Sequence, residues 1–393
     1  MSGRVVIKFG GADLSTGEKV AKAARMVIEA PYKEKVVVVS AMGKTTDSLV
    51  SIVSQLSNVS DEDYAEIVSM GERTSARIFC AALKALGAKA EFIDPANANW
   101  PIITDSNSRN AKPNMEKTAL LVQRYLLPLL HSTIPVVCGF LGKDSNGRIT
   151  TLGRGGSDTT ALLLARCLGA HEVILVKDTS GVLSADPKIV EEARPLDRID
   201  IHEMFDLAQG GAKIVKPEAL KYKLPNQKLR VVNFASGNLA VGGTEIIGSF
   251  SPNSAEISCN EHILAINVVC DVNAENLKEI FAVLSQNAIY GVSSGRKSLT
   301  IFTSDGNIAV VINRLHSMKR FKAISHRENI AMLQITHPAF IDSPGGVAKI
   351  SAALTQHDIN IIEVTTSKAT INVFIEEPQL KKAREAIKSV FET

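Results

Sequence analysis

Thr150 to Ala170, TTLGRGGSDTTALLLARCLGA, gathers a guanidinium (Arg154), a hydroxyl (Ser157) and a carboxylate (Asp158) beside Gly153, Gly155 and Gly156. The glycines permit close approach of a ligand to the backbone and positive φ. Ser157 is placed as the N-cap of a helix with Asp158 in its first turn, where unpaired amides and the helix dipole favour a carboxylate. The apolar run that follows continues the helix, and Gly169 stops it. Taken alone, the pattern equally suits a capped helix after a turn, with Arg154 in solvent. Near the N-terminus, the β-branched run Val5-Val6-Ile7 ends in Lys8-Phe9-Gly10-Gly11. A lysine at the lip of a Gly-Gly turn suits phosphate, because amides point at its oxygens and the ammonium neutralises charge. A plain β-turn with a snorkelling lysine is the alternative. The spacing is not GxxxxGK[ST], so a P-loop nucleotide site is not indicated.

Buried strands must carry these tips. Val36 to Val39 ends at Ser40-Ala41-Met42-Gly43 with Thr45-Thr46-Asp47, Ile134 to Cys138 ends at Gly139, and Val173 to Val176 ends at Lys177-Asp178. Ligands of open α/β sheets bind outside the carboxyl ends of strands, so several polar strand ends count more than one. Met70 to Ser75 precedes an alanine-rich helix, and Glu72 is expected as an exposed acid near its start unless a substrate ammonium needs it. Asp94 to Asn114 is a long polar segment, expected as a lid or hairpin. Met115 to Leu130 has the pattern of one amphipathic helix, and Asn146-Gly147 that of a type I′ hairpin turn. Pro217 opens a further helix. Strand and helix alternate over residues 4 to 235, which predicts a three-layer αβα domain with a mainly parallel sheet.

Beyond Gly242-Gly243 the pattern becomes β-α-β-β-α-β, and then β-α-β-β-α again from Met332 onward. The second copy lacks a closing strand, which Glu245 to Gly248 is expected to supply. The predicted boundaries are 1–243, 244–326 (with 244–249 completing the second copy) and 327–393.

Bulk properties exclude several classes. The 393 residues are 45% hydrophobic and 22% charged with net charge +3, so no basic surface calls for nucleic acid. The five cysteines form no CxxC pair, so neither a zinc site nor a disulfide framework is expected. No signal peptide and no membrane helix is read, and a cytoplasmic protein is expected.

Four motifs in order carry a resemblance: Lys8-Phe9-Gly10-Gly11; Ser40 to Gly43 with Thr45-Thr46-Asp47; Gly71-Glu72-Arg73; and Leu152 to Ala161. Together with Gly181 to Lys188 and Gly211 to Pro217, the chain resembles an aspartate kinase of the amino acid kinase family, and its C-terminal repeat resembles paired ferredoxin-like (βαββαβ) ACT domains. The resemblance implies ATP-dependent phosphorylation of the L-aspartate β-carboxylate, with Mg²⁺ carried by ATP. Lys8 and Lys213 would neutralise the transferring phosphoryl, and Asp158 would hold the lysines and substrate in register. Gly10 and Gly11 would give amides to phosphate, and Lys177, Asp178 and Lys188 would line the nucleotide site. Arg154 would take the α-carboxylate, and Ser40, Thr46, Glu72 and Ser157 would complete the acceptor pocket. Asp342, Ser343, Gly345, Gly346 and Val347 would form an effector loop for lysine or threonine, and the ACT domains would pair in a homodimer.

The chain departs from the family pattern at several places. Ala12-Asp13 stands where Thr-Ser is usual, Thr179-Ser180 and Leu183 alter the nucleotide segment, and Lys216 replaces a histidine before Pro217. Two other functions stay open at this stage. One is a kinase for glutamate or acetylglutamate, against which the Arg154–Glu72 pair argues. The other is an amino-acid sensor that has lost catalysis, against which retention of both lysines, Arg154 and Asp158 argues.

Overall fold

The computed structural model describes residues 3–153, 155–250, 255–304, 306–341, 344–367 and 369–391. The chain divides into two compact units, residues 1–250 and 251–393.

The first unit runs β1 (Arg4–Phe9), α1 (Gly17–Glu29), β2 (Glu34–Val39), α2 (Thr45–Ser54), α3 (Asp61–Ala85), β3 (Ala90–Ile93), α4 (Met115–Leu121) and β4 (Ile134–Cys138). The hairpin β5 (Leu141–Lys143) and β6 (Ile149–Thr151) follows, then α5 (Gly156–Leu168), β7 (Glu172–Lys177), β8 (Arg198–Asp200), α6 (Ile201–Gln209), β9 (Lys228–Asn233) and β10 (Thr244–Ile247). The main sheet has eight strands in the order β3-β4-β2-β1-β7-β9-β10-β8. All its pairs are parallel except β9 with β10. Val5, Val6, Ile7 and Val36 to Val39 are fully enclosed, which for successive residues of a strand means that both sheet faces are covered.

Register then sets where the chemistry sits. Phe9 pairs with Val39 and with Val176, and Val39 pairs with Cys138, so β4, β2, β1 and β7 end at one level.

Several local expectations are corrected. Residues 70–75 do not precede a helix; they lie inside α3, which Ser60 caps by accepting from the Asp63 amide. Gly71 is tolerated mid-helix because a Cβ there would lie 2.8 Å from the Ala41 Cβ. The Met115–Leu130 segment is not one helix. It passes through a π turn at Val122–Leu126 and a 3-10 turn begun by Pro128, which cannot continue the ladder. Pro217 opens a 3-10 turn, Pro217–Tyr222, rather than an α-helix. The segment 94–114, by contrast, contains the expected hairpin, closed by the antiparallel bridge from Thr104 to Pro113, and a bridge from Ile103 to Lys143 ties it down. Gly147 alone of the Asn-Gly pair has positive φ, so the turn is not type I′; Asp144 closes it by accepting from the Asn146 and Arg148 amides.

The second unit holds β11 (Glu256–Val269), α7 (Ala274–Val283), β12 (Ile289–Ser294), β13 (Ser298–Ser304), α8 (Ile308–Ser317), β14 (Ala323–Thr336), α9 (Gly346–Thr355), β15 (Glu363–Ser367), β16 (Thr370–Glu376) and α10 (Leu380–Phe391). One antiparallel sheet takes them in the order β12-β13-β11-β14-β16-β15. The missing strand of the second copy is not Glu245 to Gly248. Thr244–Ile247 forms β10 in the first unit, antiparallel to β9 and parallel to β8. The closing strand is instead the first half of β11, since Glu256 to Asn260 pair with Thr336 to Met332. The second half of β11 opens the first copy. β14 is likewise shared, so no linker separates the copies near residue 326.

Both shared strands turn at their middles through left-handed residues, His262 (φ 57°) and Asn329 (φ 59°). The two helix pairs cover separate apolar clusters, one built on Ile266, Val268 and Ile301, the other on Leu333, Val373 and Ile387. The opposite faces meet each other: Phe302 and Phe374 stack with centroids 3.9 Å apart, among Ile263, Ala265, Ile330 and Met332. A six-stranded sheet has thus folded over itself at the two left-handed residues.

Candidate active site

Lys8 is a strand residue of β1 that is only 5% exposed. Its Nζ lies 2.8 Å from Asp158 Oδ1. Lys177, the last residue of β7, reaches the same carboxylate at 3.2 Å and 3.4 Å. Asp158 stands in the first turn of α5, where sequence places it, but Ser157 is not the cap. Gly155, in the left-handed region at φ 71°, precedes the helix, and no side chain caps it. Burial would raise the Asp158 pKa, but the charges of Lys177 and Lys8 outweigh it and hold the carboxyl well below its ordinary range. Lys177 is lowered, mainly by burial, against the pull of Asp158. The result is a carboxylate shared by two ammonium groups, fixed before any ligand arrives.

The glycine turn sits beside this cluster. Gly11 is required by close approach, because a Cβ there would lie 2.7 Å from the Ala41 carbonyl oxygen. The Gly10 amide donates to Asp13 Oδ2 at 3.2 Å. Asp13, 2% exposed, therefore takes an amide expected for phosphate. Burial raises its pKa most, and Asp178 adds to the rise.

At the end of β2, Ser40 is half-buried and its amide donates to the Phe9 carbonyl at 3.2 Å. The Ala41 amide donates to Glu72 Oε1 at 3.1 Å. Glu72 is 3% exposed, and its Oε2 has no hydrogen-bond partner among the described residues. The exposed acid expected near a helix start is thus a buried carboxylate in the middle of α3, aimed at the strand ends. Burial pushes its pKa up to about 7, against smaller opposing contributions from backbone amides, Thr46 and Lys8. Ser157 is buried on Gly139, where a Cβ would lie 2.6 Å from the Ser157 Oγ.

The structure therefore brings Lys8, Lys177, Asp158 and the Gly10–Gly11 turn together, with Ser40, Thr46 and Glu72 beside them. Asp178 is exposed just beyond β7. Lys188 and Lys213 are exposed on segments after β7 and α6, and Lys213 is not among the cations that Asp158 holds. Lys177, which the resemblance assigned to the nucleotide site, is instead the second cation on Asp158. Arg154, Asp342 and Ser343 lie outside the described residues. Gly345 precedes α9 with φ 92°, and Val347 is exposed.

Such a site can neutralise a polyphosphate at one end and receive an ammonium at the other. No helix among the described residues is long and apolar enough to cross a membrane.

Comparison with known proteins agrees with this arrangement. Residues 3–233 match the amino acid kinase family, and residues 325–389 match the ACT domain. An aspartokinase of Bacillus sp. (strain MGA3) is 31% identical, over 99% of this chain and 97% of its own. Aspartokinase 2 of Bacillus subtilis (strain 168) is 30% identical, over 99% of this chain and 98% of its own. The crystal structure of aspartate kinase from Synechocystis superposes with a TM-score of 0.74 at 25% identity, covering 99% of this chain and 69% of that one. The chain belongs to the amino acid kinase family and, within it, to the aspartokinases.

Proposed function

We propose that the chain transfers the γ-phosphoryl group of ATP to the β-carboxylate of L-aspartate, giving 4-phospho-L-aspartate and ADP, the first step toward lysine, threonine and methionine. One β-carboxylate oxygen attacks the γ-phosphorus as the bond to the β,γ-bridging oxygen breaks, and ADP leaves with that electron pair. No protein nucleophile is needed; positioning and charge neutralisation carry the step. Lys8 and Lys177 face the transferring group as fixed cations, and Asp158 keeps them from repelling each other. Lys213 joins them from its exposed segment, and Lys188 and Asp178 border the nucleotide. Asp178 would offer a hard oxygen, a donor that suits Mg²⁺, to an ion carried by ATP. The ion would supply charge neutralisation on the phosphate oxygens.

The observation that carries the acceptor assignment is the buried Glu72 carboxylate, whose Oε2 has no hydrogen-bond partner among the described residues. A free amino acid brings an ammonium to it, and an acetylated one does not. Arg154 takes the α-carboxylate, while Ser40, Thr46 and Ser157 close the pocket. We further assign the Gly345–Val347 loop, with Asp342 and Ser343, to a lysine or threonine effector, and pairing of the ACT units to a homodimer in the cytoplasm.

The test is acyl-phosphate trapping by hydroxylamine with Mg²⁺-ATP and L-aspartate, L-glutamate or N-acetyl-L-glutamate. Aspartyl hydroxamate from aspartate alone, lost in Lys8→Ala, is the expected result. Hydroxamate from another acceptor would replace the substrate, and none from any acceptor would remove the activity.

A further inference from the structure

The middle of α3, which carries Glu72, is met at two places along the sheet. One is the tip of β2, where Glu72 accepts from the Ala41 amide and Gly71 lies close against Ala41. The other is the end of β3. Asp94, the residue after β3, is fully enclosed. Its Oδ2 accepts from Arg73 Nε at 3.0 Å and from Arg77 Nη1 at 2.6 Å. Arg77 Nη1 also donates to the Arg73 carbonyl at 2.7 Å, and its guanidinium carbon lies 4.5 Å from the ring centroid of Phe92 in β3. β4 separates β3 from β2, so the two places stand about 10 Å apart across the sheet.

Asp94 also shapes its own turn. Oδ1 accepts from the Ala96 amide at 2.7 Å, and the Asp94 carbonyl accepts from the Asn97 amide at 2.8 Å. An asparagine would serve that turn as well. It would not serve the two guanidiniums, because hydrogen bonds between ionised partners are about twice as strong as neutral ones. Burial would raise the Asp94 pKa, but the Ala96 amide, Arg77 and Arg73 outweigh it and hold the carboxyl below its ordinary value. The charge of Asp94 therefore serves α3 rather than the turn.

Arg73 and Arg77 are one turn apart and share a face of the helix, while Glu72 stands about 100° round from Arg73. Pinning one face sets the direction of the other. A rotation of about 10° moves an atom about 6 Å from the helix axis by roughly 1 Å. Misplacement of that size at a substrate-positioning group can cost about 10²-fold.

We propose that Asp94 is a positioning residue for the acceptor: it fixes Arg73 and Arg77, and so sets the rotation of α3 that presents Glu72 to the acceptor's ammonium. This rests on the assignment of Glu72 to that ammonium. Asp94 acts through Glu72, so acceptor binding depends on it, while nucleotide binding at Lys8, Lys177 and the Gly10–Gly11 turn does not.

The experiment uses the full chain with Asp94→Asn, Glu72→Gln, the two combined, and Arg77→Gln, which removes one donor at a side chain 43% exposed. The Kd for L-aspartate, or for L-glutamate where wild type prefers it, is measured by calorimetry, together with KM, kcat and the Kd for ADP without acceptor. Asp94→Asn weakens acceptor binding about tenfold, with kcat within about threefold and the ADP Kd unchanged. Arg77→Gln gives the same pattern at about threefold. In the Glu72→Gln background, Asp94→Asn changes acceptor affinity by less than about twofold, because residues that act through one contact do not add. A general loosening of the fold would cost the same factor in both backgrounds. Where Asp94→Asn melts well below wild type, Arg77→Gln and its combination with Glu72→Gln carry the comparison.

Unchanged acceptor affinity in Asp94→Asn, where Glu72→Gln loses it, overturns the proposal and leaves Glu72 in its role. An equal loss in both backgrounds overturns it too, as does a matching loss of ADP affinity. Unchanged affinity in Glu72→Gln itself, or no binding of aspartate or glutamate by wild type, removes the acceptor assignment and the proposal with it.

Discussion

The cluster proposed for the phosphoryl group and the one proposed for the acceptor bury charge in opposite ways. At the phosphoryl end, Asp158 is enclosed but answered by Lys8 and Lys177, and its pKa is held far down. At the acceptor end, Glu72 is enclosed just as deeply, but one oxygen has no partner among the described residues and its pKa is pushed up to about 7. A compensated buried charge is fixed before any ligand arrives; an uncompensated one suits the ammonium proposed for it. The first stabilises the fold at neutral pH, and the second costs stability until an ammonium arrives.

The sharpest way to break the contrast is Asp158→Asn. It leaves two ammonium groups facing each other without an anion, and losing one partner of a buried pair costs about 3–5 kcal/mol. Denaturant melts are expected to show that loss, and kcat is expected to fall by roughly 10³ as electrostatic preorganisation goes. The sign with pH follows from the lowered pKa. The Asp158 contribution is fully present above about pH 4, the ordinary aspartate value, and disappears only on further acidification.

Glu72→Gln is expected to act the other way on stability. The raised pKa of Glu72 means that its ionised form destabilises the native state at pH 8, so the glutamine variant should melt about 2–4 °C higher there and no higher at pH 5. Its acceptor KM should nevertheless rise roughly 30- to 150-fold, the loss of a charged hydrogen bond of about 2–3 kcal/mol. A variant that is both less stable and unchanged in KM would remove the distinction between the two ends.

Asp13→Ser is expected to give the smallest effect. It frees the Gly10 amide and removes a buried negative charge beside the phosphate turn. ADP binding measured without divalent cation should tighten about three- to tenfold by relief of charge repulsion. Weaker binding would mean that the carboxylate organises the turn rather than competing with phosphate.

Much of this arrangement is legible in the sequence, for physical reasons. Val5-Val6-Ile7 and Val36 to Val39 read as strands because both sheet faces are covered, and their polar tips mark the carboxyl ends where ligands gather. Asp158 falls in the first turn of its helix because Gly155-Gly156 opens it. What sequence misses is set by register and tertiary packing. Glu72 reads as an exposed acid because nothing local shows that α3 continues back to Asp61 and turns this residue inward against Ala41. Lys177 is read as lining the nucleotide and not as a partner of Asp158, since only the pairing of β1 with β7 brings it onto that carboxylate. The upstream closing strand of the second copy follows from counting elements. Which residues form it does not, because β10 and the start of β11 are both short apolar-polar runs, and long-range pairing decides between them.

The most direct test of the central contrast is calorimetric titration with L-aspartate at pH 6.5 in two buffers of different ionisation enthalpy. Aspartate keeps both carboxylates ionised there, so a proton change reports on the protein. The account predicts release of about half to one proton per aspartate bound, as the arriving ammonium draws Glu72 into its ionised form, and none in Glu72→Gln. Binding of aspartate to wild type with no proton release, or with the same release in the glutamine variant, would contradict it.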